Sequence, residues 1–325
     1  MKVLISGYGN IAQRHILNLL SLTSISELVI LRRTNACIED DYGVNTLVYR
    51  DLDTALLQHS FDMALVCSPA SDHFSQIETL IKSGVPCFVE KPVTTDWKLA
   101  EKLLEIHRDH PTPILLGYDL RYTSGFKAVA ELINAGVIGE IWRISAEVGQ
   151  YLPDWRPNKN YQLTVSSQRK LGGGALRELS HELDYLNGLF KFQLHDLKVN
   201  SRNHTFLEMD CENEVQVIAN AKVAQQAYEP SIYIALDMLS RKTYRRLKVS
   251  GSDMDLIWDL VEQKVKLCSD KMESDIDVTE NANQPYINLL KEFVEKVQHH
   301  DCDNSPILQG IDVMEFIKLI ESKAK

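Results

Sequence analysis

Short apolar runs alternate with helical patterns over the first third of the chain. KVLIS (2–6), ELVILR (27–32), TLVYR (46–50), MALVCS (63–68), PCFVE (86–90) and PILLG (113–117) each have strand length and β-branched content. Between them, apolar residues at 11, 12, 16, 19 and 20 recur at helical spacing, as do those at 99, 100, 103, 104 and 106 within WKLAEKLLEIHRD (97–109). This alternation predicts an α/β domain with a doubly wound parallel sheet. From about Glu140 the pattern changes. EIWRISAEVGQYL (140–152), DLKVNS (196–201), EVQVIANAKV (214–223), SIYIALDML (231–239), YRRLKVSG (244–251), MDLIWDLV (254–261) and KVKLCS (264–269) read as strands with little helix between them. They predict a mostly antiparallel sheet in a second, α+β domain. INLLKEFVEKVQ (287–298) and GIDVMEFIKLIESK (310–323) are amphipathic helices. The expected division is a first domain over 1–120 and a second over 121–325, with the C-terminal helices able to pack back on the first.

Composition fits that picture: 325 residues are enough for two domains, and 44% apolar content for a real core. The formal charge of −10 disfavours nucleic acid and anionic membranes as partners. Six scattered cysteines (Cys37, Cys67, Cys87, Cys211, Cys268, Cys302) form no CxxC pair and read as thiols in a reducing compartment. No metal is expected. The four-residue apolar run in MKVLISGYG is too short for a signal peptide and no later run could span a bilayer, so a cytoplasmic address is expected.

Candidate chemistry begins at the first strand's end. ISGYGNIA places Gly7, Gly9 and Ala12 where a strand turns into a helix starting at Asn10 and Ile11. Glycines there permit a tight turn and close approach of N–H groups to a pyrophosphate, and the small residue at 12 permits close helix–strand packing. Arg32 and Arg33 end the second strand about twenty residues on, where a site for NAD usually has an acid. Guanidinium groups suit a 2′-phosphate, so NADP is favoured with NAD possible; two solvated surface arginines are the plainer reading. Ligands of such sheets bind beyond the strands' carboxyl ends. That places Ser68, Pro69 and His73 after the fourth strand, and Glu90, Lys91 and Pro92 after the fifth. A partly desolvated lysine suits proton transfer, although EKP alone is more often a surface turn.

Further on, LGGGALRELSHELDYLNGLF (171–190) runs three glycines into a dense acid–base cluster. From Ala175 it reads as one helix with Leu176, Leu179, Leu183, Leu186 and Phe190 as an apolar stripe, and Glu178, His181, Glu182 and Tyr185 beside it. Gly172 to Gly174 would let the backbone pass close to a bound cofactor or substrate. The bland alternative is an amphipathic helix with a solvated acidic face. Ahead of it, Asp154, Trp155, Arg156 and Tyr161 in YLPDWRPNKNY (151–161) suit a sugar's face and hydroxyls, or make up a plain surface loop.

GYGNIA, SPASDH (68–73), EKPV (90–93), GYDLRY (117–122), AGVIGEI (135–141) and the 172–190 segment occur together in one order. In them the chain resembles the glucose–fructose oxidoreductase / inositol dehydrogenase / MocA (Gfo/Idh/MocA) family. The resemblance implies a Rossmann domain followed by an open-faced sheet domain. That sheet would form a homodimer or homotetramer interface. It also implies hydride transfer between a nicotinamide and a carbinol or carbonyl carbon of a polyol substrate: a sugar, cyclitol or nucleotide sugar. Lys91 matches the family's active-site lysine and His181 its histidine, with a cis peptide at Lys91–Pro92; either group could take the hydroxyl proton. Many relatives carry an aspartate where Arg177 stands, so the acid beside His181 would be Glu178 or Asp184. Arg177 would then hold a substrate carboxylate or phosphate, with Arg121 and Tyr122 as further substrate contacts. A glycoside hydrolase using transient oxidation and a non-catalytic sensor are the rival readings on the same fold.

Overall fold

The structure, a computed structural model, describes residues 1–33, 38, 40–223 and 226–324. Cys37 and Lys325 lie outside the described residues. The chain forms two compact units. One holds Met1–Asp119 and Asn283–Met314, and the other holds Leu120–Ala282 and the chain from Glu315.

The first unit is built on strands β1 (Lys2–Ser6), β2 (Glu27–Leu31), β3 (Asn45–Tyr49), β4 (Met63–Val66), β5 (Cys87–Val89) and β6 (Ile114–Leu116). They make a parallel sheet in the order β3-β2-β1-β4-β5-β6, the Rossmann arrangement. Strands β4, β5 and the edge strand β6 are buried at every position, which is why each is an unbroken apolar run. The helices are α1 (Asn10–Leu22), α2 (Leu52–Gln58), α3 (Ala70–Lys82), α4 (Trp97–Asp109), α8 (Gln284–Gln298) and the start of α9 (Ser305–Lys323). Helix α1 packs on α8, and α3 on α4. The apolar pattern did not reveal α2 or α3. Asp51, accepting from the Thr54 N–H, was the available start signal for α2.

The second unit carries α5 (Ser124–Asn134), α6 (Ala175–Glu178) and α7 (His181–Phe190). Its strands are β7 (Ile141–Gly149), β8 (Gln193–Arg202), β9 (Glu214–Lys222), β10 (Ser231–Asp237), β11 (Tyr244–Gly251), β12 (Asp255–Asp259), β13 (Lys264–Cys268) and β14 (Glu273–Asp277). The eight-stranded order is β14-β13-β12-β11-β7-β10-β9-β8. It is antiparallel except where β10 runs parallel to β7. β14 escapes the apolar pattern because ESDID is acidic; it is an edge strand that pairs only with β13. Alternating burial along β9 and β10 puts one face in the core. That core includes Trp258, whose ring meets Tyr185 edge-on at 5.5 Å. Gly125 leaves room for the indole, since a Cβ there would overlap its Nε1.

The single helix expected from Ala175 is two. Leu179 (φ −100°, ψ 28°) ends α6, and α7 begins afresh at His181. The leucine stripe persists: Leu176, Leu179, Leu183, Leu186 and Phe190 are all buried. Among the described residues no helix is long and apolar enough to cross a membrane.

Candidate functional site

In the first unit, β1 runs into Gly7 at φ +89°. A Cβ there would stand 2.7 Å from the Cys67 carbonyl oxygen and 2.8 Å from the Ser68 nitrogen. Glycine therefore lets the turn after β1 press against the loop after β4. Ala12 is fully buried, which permits close helix–strand packing. At Gly9 no side chain caps α1, and its first turn carries no acid. The N-terminal N–H groups and the positive end of the helix dipole are thus not offset by a local carboxylate.

Beyond this turn lies a cavity of about 380 Å³ lined by Gly7, Arg32, Arg33, Arg50, Ser68 and Pro69 among others. Arg32 and Arg33 are where the pattern placed them. Arg50 was missed; its signal was its position at the end of the third apolar run, equivalent to Arg32 on the second. The Arg32 guanidinium lies 5.3 Å from the centre of the Tyr8 ring. Arg33 pairs with Asp72 of α3. The residues fit a dinucleotide: a glycine turn, an uncapped helix start and three arginines in a lining that also holds Asp51 and Asp72.

His73, expected against the cofactor, is 1% exposed. Its Nδ1 lies 2.9 Å from the Pro92 carbonyl oxygen and its Nε2 2.9 Å from that of Ser68. The side chain is therefore enclosed between the loops after β4 and β5, and its neutral ring has one N–H to give to one of the two carbonyls. Burial lowers its pKa, opposed by the two carbonyls and by Glu90 and Asp72. Glu90, also expected near the cofactor, meets His15 of α1, with Nε2 2.6 Å from Oε1. Lys91 is half-buried, and the Lys91–Pro92 peptide is cis.

In the second unit the acidic cluster of α7 is buried, so the solvated-face reading is excluded. Glu182 and Asp184 have no exposed side-chain surface. Arg245 holds Glu182 through Nε at 2.8 Å and Nη2 at 3.2 Å. Arg121 holds Asp184 through Nε at 2.8 Å and Nη2 at 2.7 Å. Two residues expected at the substrate and beside His181, Arg121 and Asp184, are thus each other's partners. Arg177 pairs with Glu321 at 2.5 Å, so its guanidinium also has a partner within the protein. His181 opens α7 and is half-buried, as is Glu178 at the end of α6.

The glycines before this helix have an internal cause. A Cβ on Gly173 would overlap the Val165 carbonyl oxygen, and one on Gly174 (φ +111°) would overlap the Glu212 carboxylate. The close approach expected toward a ligand is an approach to the protein's own 165–166 backbone and to Glu212. Glu212 sits at the start of α6, its carbonyl accepting from the Ala175 N–H at 2.9 Å. Burial raises the pKa of its carboxyl group. Nearby, short helical turns cover Leu152–Trp155 and Tyr161–Leu163. Asp154 is exposed, while Trp155, Arg156, Tyr161 and, earlier, Tyr122 are half-buried. The Tyr161 hydroxyl accepts from the Glu208 N–H at 3.1 Å. Among the described residues no group of three or more His, Cys, Asp or Glu side chains is placed to hold a metal ion.

With fold and residues in view, the first unit has the fold of an NAD-binding Rossmann domain. Residues 1–118 match the model of the Gfo/Idh/MocA family, described as "Oxidoreductase family, NAD-binding Rossmann fold". The inositol 2-dehydrogenase of Paracoccus denitrificans is 27% identical over 159 residues, 46% of this chain and 47% of that protein. Matches to the first four curated relatives span 28% to 60% of those proteins' lengths. Among solved structures, a 3-ketoreductase from Actinomadura kijaniata in complex with NADP and TDP-benzene superposes with a TM-score of 0.81 at 18% identity, covering 100% of this chain and 98% of that one. An inositol dehydrogenase homologue from Azotobacter vinelandii complexed with NAD+ gives 0.83 at 14% identity, covering 99% and 95%. These likenesses show that the two-unit fold is shared.

Proposed function

We propose that the chain is an NADP-dependent oxidoreductase acting on a carbinol or carbonyl carbon of a sugar, cyclitol or nucleotide sugar. The observation that carries the coenzyme choice is the arginine triad at the cavity beyond Gly7. Arg32, Arg33 and Arg50 stand at the ends of β2 and β3, where an NAD site would carry an acid for the ribose 2′-hydroxyl. Guanidinium groups give charge-assisted, two-pronged hydrogen bonds to a phosphate. Gly7, Gly9 and the N–H groups of Asn10, Ile11 and Ala12 would hold the pyrophosphate. Ser68, Pro69 and the Glu90–Lys91 loop line the strand ends further along.

Bound there, the nicotinamide supplies hydride transfer. The protein's part is proton handling. Lys91 Nζ is assigned to exchange the substrate hydroxyl proton and to polarise the carbonyl oxygen in the reverse direction. The His181 imidazole is the second candidate proton carrier. Since Asp184 is held by Arg121, Glu178 is the acid assigned to His181. Inositol and nucleotide-sugar relatives support the substrate class. A homodimer or homotetramer through the eight-stranded sheet belongs to the same proposal; Trp142 (52% exposed) on β7 and Ile218 (56%) on β9 support it.

Titrating the protein with NADPH and with NADH, followed by nicotinamide fluorescence, tests the coenzyme assignment. Tighter NADPH binding is the expected result, and tighter NADH binding would overturn it.

A further inference from the structure

Lys91 is bracketed by two buried histidines that the proton chemistry does not use. On its N-terminal side, the Glu90 carboxylate accepts from His15 Nε2 at 2.6 Å through Oε1, and from the Lys91 N–H at 3.3 Å through Oε2. That carboxylate rests on Gly117, where a Cβ would come within 3.1 Å of all three of its atoms. His15 has no exposed surface and stands 4.9 Å edge-on to Phe88 and 6.1 Å from Tyr286. Because a carboxylate only accepts, the proton between them sits on His15 Nε2. On the C-terminal side, His73 is held between the Pro92 and Ser68 carbonyls, with a ring nitrogen 2.9 Å from each and one N–H to give.

The two histidines have a common origin. His15 belongs to α1, the helix that begins at the glycine turn. His73 belongs to α3, whose lead-in residues Ser68 and Pro69 line the cavity. Each histidine runs from an element of the coenzyme pocket to a residue adjoining Lys91.

We propose that Glu90, His15 and His73 are positioning residues that fix the Lys91 backbone relative to the coenzyme pocket. This rests on the reading of Lys91 as the proton-exchanging group. Misplacing a reacting group by about 1 Å can cost on the order of 100-fold in rate, so two short buried links beside one lysine matter more for turnover than for coenzyme affinity.

The test compares His15→Leu with His15→Gln, whose amide nitrogen can take the place of Nε2 as donor to Glu90, and adds His73→Leu. Three readouts are taken: the NADPH dissociation constant, kcat and KM on whichever sugar of a myo-inositol and UDP-N-acetylglucosamine panel turns over, and the rate of Lys91 acetylation by acetic anhydride, read by mass spectrometry. The expected result for His15→Leu and His73→Leu is a kcat loss of roughly 10- to 100-fold and faster Lys91 acetylation, with NADPH affinity changed less than about threefold. His15→Gln recovers most of the loss. Equal kcat and acetylation rates in folded variants would overturn the proposal. So would a loss of NADPH binding in step with activity, or no difference between Leu and Gln at position 15. Where His15→Leu does not fold, Glu90→Gln and His73→Leu carry the same readouts. Acetylation separates the two readings. A protein without turnover, whose Lys91 is nonetheless acetylated faster in His15→Leu and normally in His15→Gln, loses the reaction assignment and keeps the positioning one.

Discussion

Arg121 and Asp184 form a two-pronged ion pair whose carboxylate has no solvent-exposed surface. A third bond runs from Arg121 Nη2 to the Asp184 main-chain oxygen at 2.7 Å. Gly188, one turn further along α7, makes room: a Cβ there would lie 2.9 Å from the Arg121 Cζ. The pair joins the segment before α5 to the helix that begins with His181, so its first role is to hold that helix in place.

Removing one partner of a buried ion pair leaves the other charge uncompensated, at a cost of about 3–5 kcal/mol. Asp184→Asn and Arg121→Leu are therefore expected to lower unfolding stability by about that amount, read from urea denaturation. Gly188→Ala crowds the guanidinium and costs less, about 1–3 kcal/mol. A loss below about 0.5 kcal/mol in Asp184→Asn, the range of ordinary surface substitutions, would contradict the structural role.

Gly173→Ala drives a methyl group into the Val165 carbonyl, and Gly174→Ala adds a side chain at φ +111° against Glu212. Each is expected to destabilise by about 2 kcal/mol or more, through strain and overpacking. NADPH affinity of the folded fraction should be unchanged, because the close approach is internal. A variant of normal stability but weakened coenzyme or substrate binding would restore the ligand-contact reading of these glycines.

Burial raises the Glu212 carboxyl pKa above its usual 4.5. Below pH 4.5 the group is protonated in folded and unfolded chains alike, and no penalty arises. As pH rises through the folded pKa, the unfolded chain is already ionised while the folded one must bury a charge, so stability is lost. Glu212→Gln removes this loss. It should gain on the wild type as the pH rises from 4 to 8. Paired denaturation curves check this, and a constant difference across that range would contradict it.

The first unit was legible because its inner strands are buried on both sides and read as unbroken apolar runs. The glycine turn, Arg32 and Lys91 stand at predictable ends of those runs. The second sheet was legible through alternation, except for acidic β14, which no apolar pattern marks. Partners were the least legible. Nothing in GYDLRY or HELDYL announces that Arg121 meets Asp184 across 63 residues, and His73 looks like a site residue until both its nitrogens are seen to face main-chain carbonyls. Arg50 is not legible in this way, because the residue that meets the ribose is expected at the end of the second strand, although the third ends in the same way.

Arg50→Ala and Arg32→Ala should each weaken NADPH binding by roughly 10- to 100-fold, the worth of about 1.5–3 kcal/mol for a hydrogen bond to a charged group. NADH binding should change little. Equal losses for both coenzymes would place these arginines away from the 2′-phosphate.

The central claim is tested most directly by following nicotinamide absorbance with a panel of polyols, sugars and nucleotide sugars, in the wild type and in Lys91→Met. The account predicts a net coenzyme change equal to the product formed in the wild type. In Lys91→Met it predicts turnover reduced by about 100-fold or more, with the NADPH dissociation constant nearly unchanged. Sugar release without net coenzyme change, or substantial turnover in Lys91→Met, would contradict it.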